Sequence, residues 1–336
     1  MIKAELFEKG IKNQVICRLC AHQCHLQAGA TGICRVRKNI AGTLYSLNAD
    51  RVVAIHMDPI EKKPLYHFLP GSRTFSIAAM GCNFSCRFCQ NHSISMANEE
   101  YGIKGENIAP AQLVEKALKN RAQSISYTYT EPTVFFELML ETARLAQQAG
   151  LKNVMVSNGY MSSQALSLLG PFLDAANIDL KAFNENFYKN YCSARLQPVL
   201  ETISALRKRG IWLEITTLLI PGLNDDSEEI KRLISFLLEL DAAMPWHVSR
   251  FFPQYQLQHI PPTAQDSIEK FLRLGAEMGL IYLYGGNLNV NSWNDTHCPR
   301  CKELLIRRHG YQTETNSLQS GKCLICEQKI PGVWEK

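Results

Sequence analysis

The stretch "GCNFSCRFCQN", residues 81–91, places three cysteines within eight residues. Cys82, Cys86 and Cys89 stand at x3 and x2 spacing, and no fourth cysteine lies nearby in the sequence. Thiolates select zinc, copper(I) or iron and sulfur. A structural zinc needs four protein ligands, whereas three thiolates on a tight loop suit three corners of an iron–sulfur cubane. The spacing therefore predicts an iron–sulfur site whose fourth iron has no protein ligand.

Around this loop, short apolar runs alternate with amphipathic helical patterns, which predicts β/α units and a parallel sheet. We predict seven strands, at residues 75–80, 124–129, 153–157, 176–180, 212–220, 247–252 and 280–284. Six units and a seventh strand are fewer than a closed barrel's eight. We therefore expect an α/β fold with an incomplete, open barrel of the (β/α)6 type.

Polar segments follow the predicted strands at their carboxyl ends, at residues 130–132, 157–159, 179–181, 220–222, 252–255 and 285–287. Each segment alone is ordinary turn or cap chemistry. In β/α barrels, however, the loops at this face of the sheet carry the active site. Because the cysteine loop follows the first strand, it shares that face with the polar segments.

The cysteine loop resembles the C-x3-C-x2-C signature of the radical S-adenosylmethionine (radical SAM) superfamily. This resemblance implies a [4Fe-4S] cluster whose unique iron is chelated by the methionine part of S-adenosylmethionine (SAM). It also implies reductive cleavage of SAM to methionine and a 5′-deoxyadenosyl radical, which abstracts hydrogen from a substrate. The protein would supply orientation, a dry cavity and tuning of the cluster.

Two further segments resemble motifs of this superfamily that contact SAM. Phe88 occupies the position of an aromatic residue that lies near the adenine. The segment "YTEP" resembles a Gly-Gly-Glu-Pro motif, in which Tyr129 and Thr130 replace the two glycines. The resemblance implies that Thr130 and Glu131 bind the cofactor, with Glu131 as the anion that meets the SAM ammonium.

The segments "SNG" and "DLK" carry the remaining cofactor candidates. Ser157 and Asn158 are similar to a Thr-Asn-Gly turn that lies at the ribose. Asp179 and Lys181 match the activating-enzyme branch, which implies contacts with the ribose and the methionyl carboxylate. A lysine suits that carboxylate because its ammonium is a compact cation.

The order of motifs resembles the AmmeMemoRadiSam-system radical SAM enzymes, which are relatives of pyruvate formate-lyase activating enzyme. Matching segments include "PLYHFLPG", "YTYTEPT", "PWHVSRFFPQY" and "YGGN". The resemblance implies Memo-like or AMMECR-like partners and an electron donor of the flavodoxin or ferredoxin type. The substrate is a glycine of a partner protein, as for glycyl-radical activases, or a small molecule, and we slightly favour the protein target.

Two groups of four cysteines flank the predicted barrel. The C-terminal group has two C-x2-C pairs around a predicted hairpin at 307–315 and predicts a zinc ribbon, on Cys298, Cys301, Cys323 and Cys326. The N-terminal group has x2, x3 and x9 spacing, and His22 or His25 could replace one of its members, Cys17, Cys20, Cys24 and Cys34. Zinc is favoured there, and an auxiliary iron–sulfur cluster that relays electrons is the alternative.

The composition of the chain limits its domain organisation, its partners and its location. The 336 residues, 46% hydrophobic, can bury one large core with small appendages. We predict an N-terminal cysteine-rich module at 1–70, the barrel at 71–290 and the zinc-ribbon-like module at 291–336. Without a basic block or an apolar run of roughly 18 residues, we expect no nucleic-acid or membrane partner. Twelve cysteines without a secretion signal indicate a cytoplasmic protein.

A rival reading is a non-catalytic iron–sulfur electron carrier or a zinc-dependent scaffold. The two flanking cysteine groups are its best support. The residues Glu131, Asn158, Asp179 and Lys181 argue against it, because an electron carrier needs no amino-acid and nucleoside pocket beside its cluster. Cys192 stands alone, and we assign it no role because a lone cysteine is usually a small buried hydrophobe.

Overall fold

The computed structural model describes residues 1–96, 102–288 and 293–335. Its central element is an eight-stranded sheet in which neighbouring strands also follow one another along the chain. The strands β1 to β8 are Ala54–Pro59, Arg73–Ala78, Ser124–Tyr127, Lys152–Ser157, Ala175–Asp179, Trp212–Leu219, Trp246–Arg250 and Leu283–Gly286. Strands β2 to β8 are parallel. These are the seven predicted strands, so the prediction of an α/β fold with a parallel sheet is confirmed.

In the described part of the chain, one helix of seven or more residues precedes each of the strands β3 to β8. These helices, α1 to α6, are Pro110–Lys119, Phe136–Gln148, Ser163–Leu169, Gln197–Lys208, Ser227–Leu240 and Gln265–Met278. Short helical turns lie at Ile60–Lys62, His92–Ser95, Pro132–Phe135, Gly170–Phe172, Glu185–Phe187 and Tyr188–Cys192. Helix α5 begins where Asp226 accepts a hydrogen bond from the Glu229 N–H at 2.9 Å. Across the described residues, no helix combines the length and apolar character that a membrane crossing requires.

Strand β1 was not predicted, and it lies within the residues assigned to the N-terminal module. It runs antiparallel to β2, with Ile55 opposite Ile77. An uncovered edge strand presents unpaired backbone groups, and β1 covers those of β2. The sheet therefore extends past the predicted boundary at residue 70. The other predicted boundary, between residues 290 and 291, falls outside the described residues.

The N-terminal segment, residues 1–53, contains two small antiparallel sheets. Their strands are Ile2–Lys3, Thr43–Ser46 and Arg37–Ile40, and Phe7–Lys9, Val15–Cys17 and His25–Leu26. A separate pair joins Arg51–Val52 to Glu106–Asn107. The Ala21 N–H donates to the Tyr160 carbonyl at 3.1 Å, and the Ser162 N–H donates to the Leu19 carbonyl at 3.0 Å. The segment therefore docks on the loop after β4, at the carboxyl end of the sheet.

The C-terminal ribbon, residues 293–335, also consists of short antiparallel strands. They are Thr296–His297, Leu304–His309 and Gln312–Thr315, followed by Leu318–Gln319 and Lys322–Cys323. The predicted hairpin is confirmed, with His309 opposite Gln312 across a two-residue turn. The buried Arg308 donates to the Tyr66 carbonyl at 2.7 Å, which ties the ribbon to the segment between β1 and β2.

Candidate active site

A cavity of about 540 Å³ lies at the carboxyl end of the sheet. Its volume is within the range of sites that bind small molecules and cofactors. It is lined by all ten residues predicted for the cluster and SAM, namely Cys82, Cys86, Phe88, Cys89, Thr130, Glu131, Ser157, Asn158, Asp179 and Lys181. A larger groove of about 670 Å³, lined by side chains of α5 and α6, contains none of them. The structure thus brings the candidate residues of four loops to one place.

The cysteine loop is held by backbone contacts from two distant segments. The Ser85 N–H donates to the Cys192 carbonyl at 3.0 Å, and the Arg87 N–H donates to the Tyr191 carbonyl at 3.0 Å. From the other side, the Gln256 N–H donates to the Arg87 carbonyl at 2.9 Å. These contacts fix the loop between the turn Tyr188–Cys192 and the segment after β7.

The three thiols of the loop do not belong to a compact zinc-like group in the described part of the chain. The compact group there is the C-terminal quartet, whose ligand atoms all lie within 4.8 Å of one another. In a cubane each thiolate binds a different iron, so the thiolates are separated by the width of the cluster. The residues of the loop therefore fit an iron–sulfur cluster.

Cys192, which sequence reasoning left without a role, lies beside this loop. Its side chain is fully buried and hydrogen-bonds to the thiol of Cys86. It is not part of the cavity lining. Cys192 therefore contacts a candidate ligand without lining the cavity.

The Glu131 carboxylate is the centre of a hydrogen-bond network below the cavity. One oxygen accepts from the Thr133 N–H at 3.0 Å, the Thr133 hydroxyl at 2.6 Å and the Ser157 hydroxyl at 2.8 Å. The other accepts from the Asn158 N–H at 2.8 Å. Burial raises the pKa of Glu131, although the hydrogen bonds from Asn158 and Thr133 oppose this shift. Glu131 thus fixes the turn that carries Ser157 and Asn158.

Tyr129 adopts the backbone conformation that the replaced glycine would favour. Its φ is 66°, in the left-handed region, which costs a non-glycine residue roughly 1–2 kcal/mol. Its hydroxyl donates to Asp58, and the Lys63 ammonium lies 4.3 Å from its ring centre. These contacts hold the tyrosine in a conformation in which the Thr130 hydroxyl donates to the Ala79 carbonyl at 2.6 Å.

A charged pair lies on the opposite side of the cavity. The Lys181 ammonium donates to Asp179 at 2.9 Å and lies 5.8 Å from the ring centre of Phe88. Burial lowers the pKa of Lys181, but the Asp179 carboxylate and nearby thiols outweigh burial and raise it well above its usual value. The ammonium is therefore charged and available to an anionic group in the cavity.

Several lining residues were missed by sequence reasoning. They include Lys62, Lys63, Asn177 and Tyr311. Lys62 and Lys63 donate to the two oxygens of Asp58 at 2.9 and 2.7 Å. The two adjacent lysines in "EKKP" could have been noticed in the sequence as candidate site residues. Tyr311 could not, because its position at the cavity depends on how the ribbon packs against the rest of the chain.

The C-terminal cysteines form a compact metal-binding group. The sulfur atoms of Cys298 and Cys326 lie 3.5 Å apart, and those of Cys301 and Cys323 lie 3.7 Å apart. Zinc–sulfur bonds of about 2.3 Å in a tetrahedron place the sulfur atoms about 3.8 Å from each other. The quartet therefore fits a tetrahedral ion. The N-terminal cysteines line a different, smaller cavity, made of Cys17, Cys20, Cys24 and Cys34 together with His22 and not His25.

Comparisons with known proteins agree with this site. Residues 77–234 match the family model of the radical SAM superfamily. An uncharacterized protein of Methanocaldococcus jannaschii is 41% identical over 333 residues, covering 98% of this chain and 99% of that protein. Pyruvate formate-lyase 1-activating enzyme of Escherichia coli (strain K12) is 19% identical over 230 residues, covering 64% of this chain and 91% of that enzyme.

The fold is also similar to that of a solved structure. Streptococcus suis SuiB bound to S-adenosylmethionine aligns with a TM-score of 0.52 at 12% identity, covering 68% of this chain and 53% of that chain. The chain belongs to the radical SAM superfamily and is related to the pyruvate formate-lyase activating enzymes.

Proposed function

We propose that this chain cleaves SAM reductively and uses the product radical to abstract hydrogen from a substrate. Cys82, Cys86 and Cys89 would hold a [4Fe-4S] cluster, which supplies the electron that converts SAM into methionine and a 5′-deoxyadenosyl radical. The observation that carries the proposal is the single cavity lined by these three thiols and by every residue predicted to bind SAM. A closed electron carrier would have no need of such a cavity.

The polar residues of the cavity have distinct tasks in this proposal. Lys181 would bind the methionyl carboxylate, since its charged ammonium faces the cavity. Asp179, which accepts from Lys181, would orient that ammonium and accept from the ribose hydroxyls. Phe88 offers a buried aromatic ring for the adenine.

Glu131 would act through the turn it holds as well as through its charge. The Asn158 side-chain amide donates to the Asn83 side chain at 2.8 Å and lies 3.8 Å from the Cys82 sulfur. In this proposal, a fixed Asn158 would lie between the cluster ligands and the nucleoside of SAM. The negative charge of Glu131 would also favour the SAM ammonium at this position.

Formation of 5′-deoxyadenosine tests the proposal. Anaerobically reconstituted protein with SAM and dithionite should release 5′-deoxyadenosine and methionine, and Cys86→Ala should abolish the release. Cys192→Ala is the matched control, because Cys192 is buried beside Cys86 but does not line the cavity. Release of the nucleoside by Cys86→Ala at the wild-type rate would exclude the cysteine loop from the reaction.

We further propose that the sheet is the incomplete (β/α)6-type barrel of this superfamily, between an N-terminal cysteine-rich module and a C-terminal zinc ribbon. The open strand order and the six helices that separate the parallel strands support the barrel. The sulfur spacing of the C-terminal quartet supports zinc in a structural role.

The partners and the substrate class are part of the same proposal. A flavodoxin or ferredoxin would donate the electron, and the substrate would be a carbon centre on a partner protein or, second in preference, a small metabolite. The relationship to activating enzymes supports the protein target, and Memo-like or AMMECR-like proteins are candidates by resemblance. None of the 12 cysteines, all within the described residues, forms a disulfide, which supports a cytoplasmic location.

A further inference from the structure

We propose that Lys62 and Lys63 bind an anionic group of the substrate, a carboxylate or a phosphate close to the carbon that loses hydrogen. This inference rests on the proposed function and names the chemical class of the substrate. Both lysines line the cavity, and among its described lining residues they are the only charged ones outside the ten predicted for the cluster and SAM. The part of the cavity that is left for a substrate therefore offers ammonium groups and no carboxylate.

The two lysines belong to the segment that joins β1 to β2, which is tied to the sheet. The side-chain amide of Asn177 on β5 donates to the Pro64 carbonyl at 2.8 Å, and both residues line the cavity. Further along the segment, the Glu214 carboxylate on β6 accepts from the backbone N–H groups of Tyr66 and His67 at 2.9 and 2.8 Å. The backbone next to the lysines is therefore held against two neighbouring strands before a substrate binds.

The Asp58 carboxylate balances only one of the two ammonium groups. It accepts from Lys62 at 2.9 Å, from Lys63 at 2.7 Å and from the Tyr129 hydroxyl. Burial raises the pKa of Asp58, but the hydrogen bonds from Lys63, Tyr129 and Lys62 outweigh burial and hold it below its usual value. Two positive charges therefore share one negative charge, which leaves one positive charge in excess at the cavity.

The two ammonium groups also have hydrogen-bond donors to spare. Each has three N–H donors, and within the described residues each donates to Asp58 alone. The Lys63 side chain is only 2% exposed. Burial lowers the pKa of Lys63 to about 8, although Asp58 opposes this shift. An anion that accepts from the remaining donors would offset the cost of burying this charge.

SAM does not supply that anion in the proposed binding mode. Its carboxylate pairs with Lys181, and its sulfonium and ammonium add two positive charges to the cavity. An anionic substrate would complement both SAM and the two lysines. The lysines would bind and orient the substrate, while a hydrogen atom moves from the substrate carbon to the 5′-deoxyadenosyl carbon without any change of charge.

Binding of two small anions tests the inference. Inorganic phosphate and malonate are titrated by calorimetry, at constant ionic strength, into protein saturated with SAM, and the one that binds more tightly distinguishes a phosphate from a carboxylate. We expect at least one of them to bind. Lys62→Gln should weaken its binding by about tenfold, because a charged donor is lost, whereas Lys62→Arg keeps the charge and should retain it.

Lys152→Gln is the matched control. Lys152 donates to Asp174 at 2.8 Å and its side chain is 37% exposed, against 42% for Lys62, but it does not line the cavity. The inference is overturned if neither anion binds, or if Lys62→Gln binds the anion as tightly as the wild type. It is also overturned if Lys62→Arg or Lys152→Gln loses binding to the same extent as Lys62→Gln. Failure of the proposed function is seen separately, as protein that binds the anion but releases no 5′-deoxyadenosine.

Discussion

At the scale of single residues, Glu131 organises the turn of Ser157 and Asn158 at one side of the cavity. Its carboxylate accepts four hydrogen bonds, from the backbone and side chains of Thr133, Ser157 and Asn158. The sequence resemblance implies that Glu131 is the anion for SAM, but it could not show that two neighbouring loops depend on this residue. The structure shows that both carboxylate oxygens of Glu131 accept hydrogen bonds from these loops.

Glu131→Gln tests this arrangement. The amide replaces one acceptor by a donor and leaves at least one buried N–H or O–H group without its partner, at a cost of about 1–3 kcal/mol. We expect SAM affinity to fall by about tenfold or more while the iron content stays unchanged, measured by equilibrium binding and metal analysis. The control is Glu141→Gln on α2, where the side chain is exposed. Equal SAM affinity in both variants would contradict the role of Glu131.

At the scale of elements, the features that could be predicted are those that depend on neighbouring residues in the sequence. The loop 81–91 and strands β2 to β8 follow from local spacing and apolar runs, and they were predicted. Strand β1 was missed because His56, Asp58 and Pro59 interrupt its apolar pattern. Sequence patterns did not predict three further lining residues, because segments far apart in the sequence come together at the cavity. These residues are Lys62, Lys63 and Tyr311. The anchoring of the cysteine loop by Cys192 is non-local for the same reason.

A buried ion pair joins the N-terminal segment to α2. The Arg37 guanidinium donates to both oxygens of Glu137, at 3.0 and 2.6 Å, and both side chains are buried. Glu137→Leu should lower the free energy of unfolding by about 3–5 kcal/mol, because it leaves a buried charge without its partner.

Urea unfolding followed by circular dichroism measures this effect. The double variant Arg37→Met with Glu137→Leu should recover part of the loss, since neither charge then remains buried. If Arg37→Met lowered the free energy of unfolding of the Glu137→Leu variant by a further full amount, the effects of the two changes would simply add. The two residues would then act independently.

At the scale of the whole molecule, both cysteine-rich ends pack near the sheet. The N-terminal segment contacts the carboxyl side of the sheet, and the C-terminal ribbon contacts the segment between β1 and β2. The N-terminal segment docks on the loop after β4, and the hairpin of the C-terminal ribbon places Tyr311 at the cavity. The cavity wall is therefore built from the ends of the sheet strands, the segment between β1 and β2 and the C-terminal ribbon. Sequence patterns assigned the parts but not their arrangement.

Metal removal separates the ribbon from the cluster site. Replacing Cys298 and Cys301 by alanine should remove about one zinc and leave the iron content unchanged, because the quartet is a separate compact site. Protein stripped of its iron–sulfur clusters by oxidation should retain this zinc. Elemental analysis that finds no zinc in protein expressed with ample iron would contradict the zinc assignment.

Hydrogen transfer from a labelled substrate tests the preference for a protein target. Extract from cells grown with deuterium is first fractionated by size. When the high-molecular-weight fraction is added to the enzyme, deuterium should appear in 5′-deoxyadenosine. The low-molecular-weight fraction serves as the comparison. Transfer from that fraction alone would show that the substrate is a small metabolite.

Electron paramagnetic resonance tests whether SAM occupies the open corner of the proposed cluster on Cys82, Cys86 and Cys89. Spectra of the reduced protein are recorded with and without SAM. We expect a reduced cluster signal that shifts when SAM is added, and no SAM-dependent shift in Cys86→Ala. A wild-type signal that SAM leaves unchanged, in protein with a full complement of iron, would show that SAM does not bind the cluster and would favour a closed electron-carrying cluster.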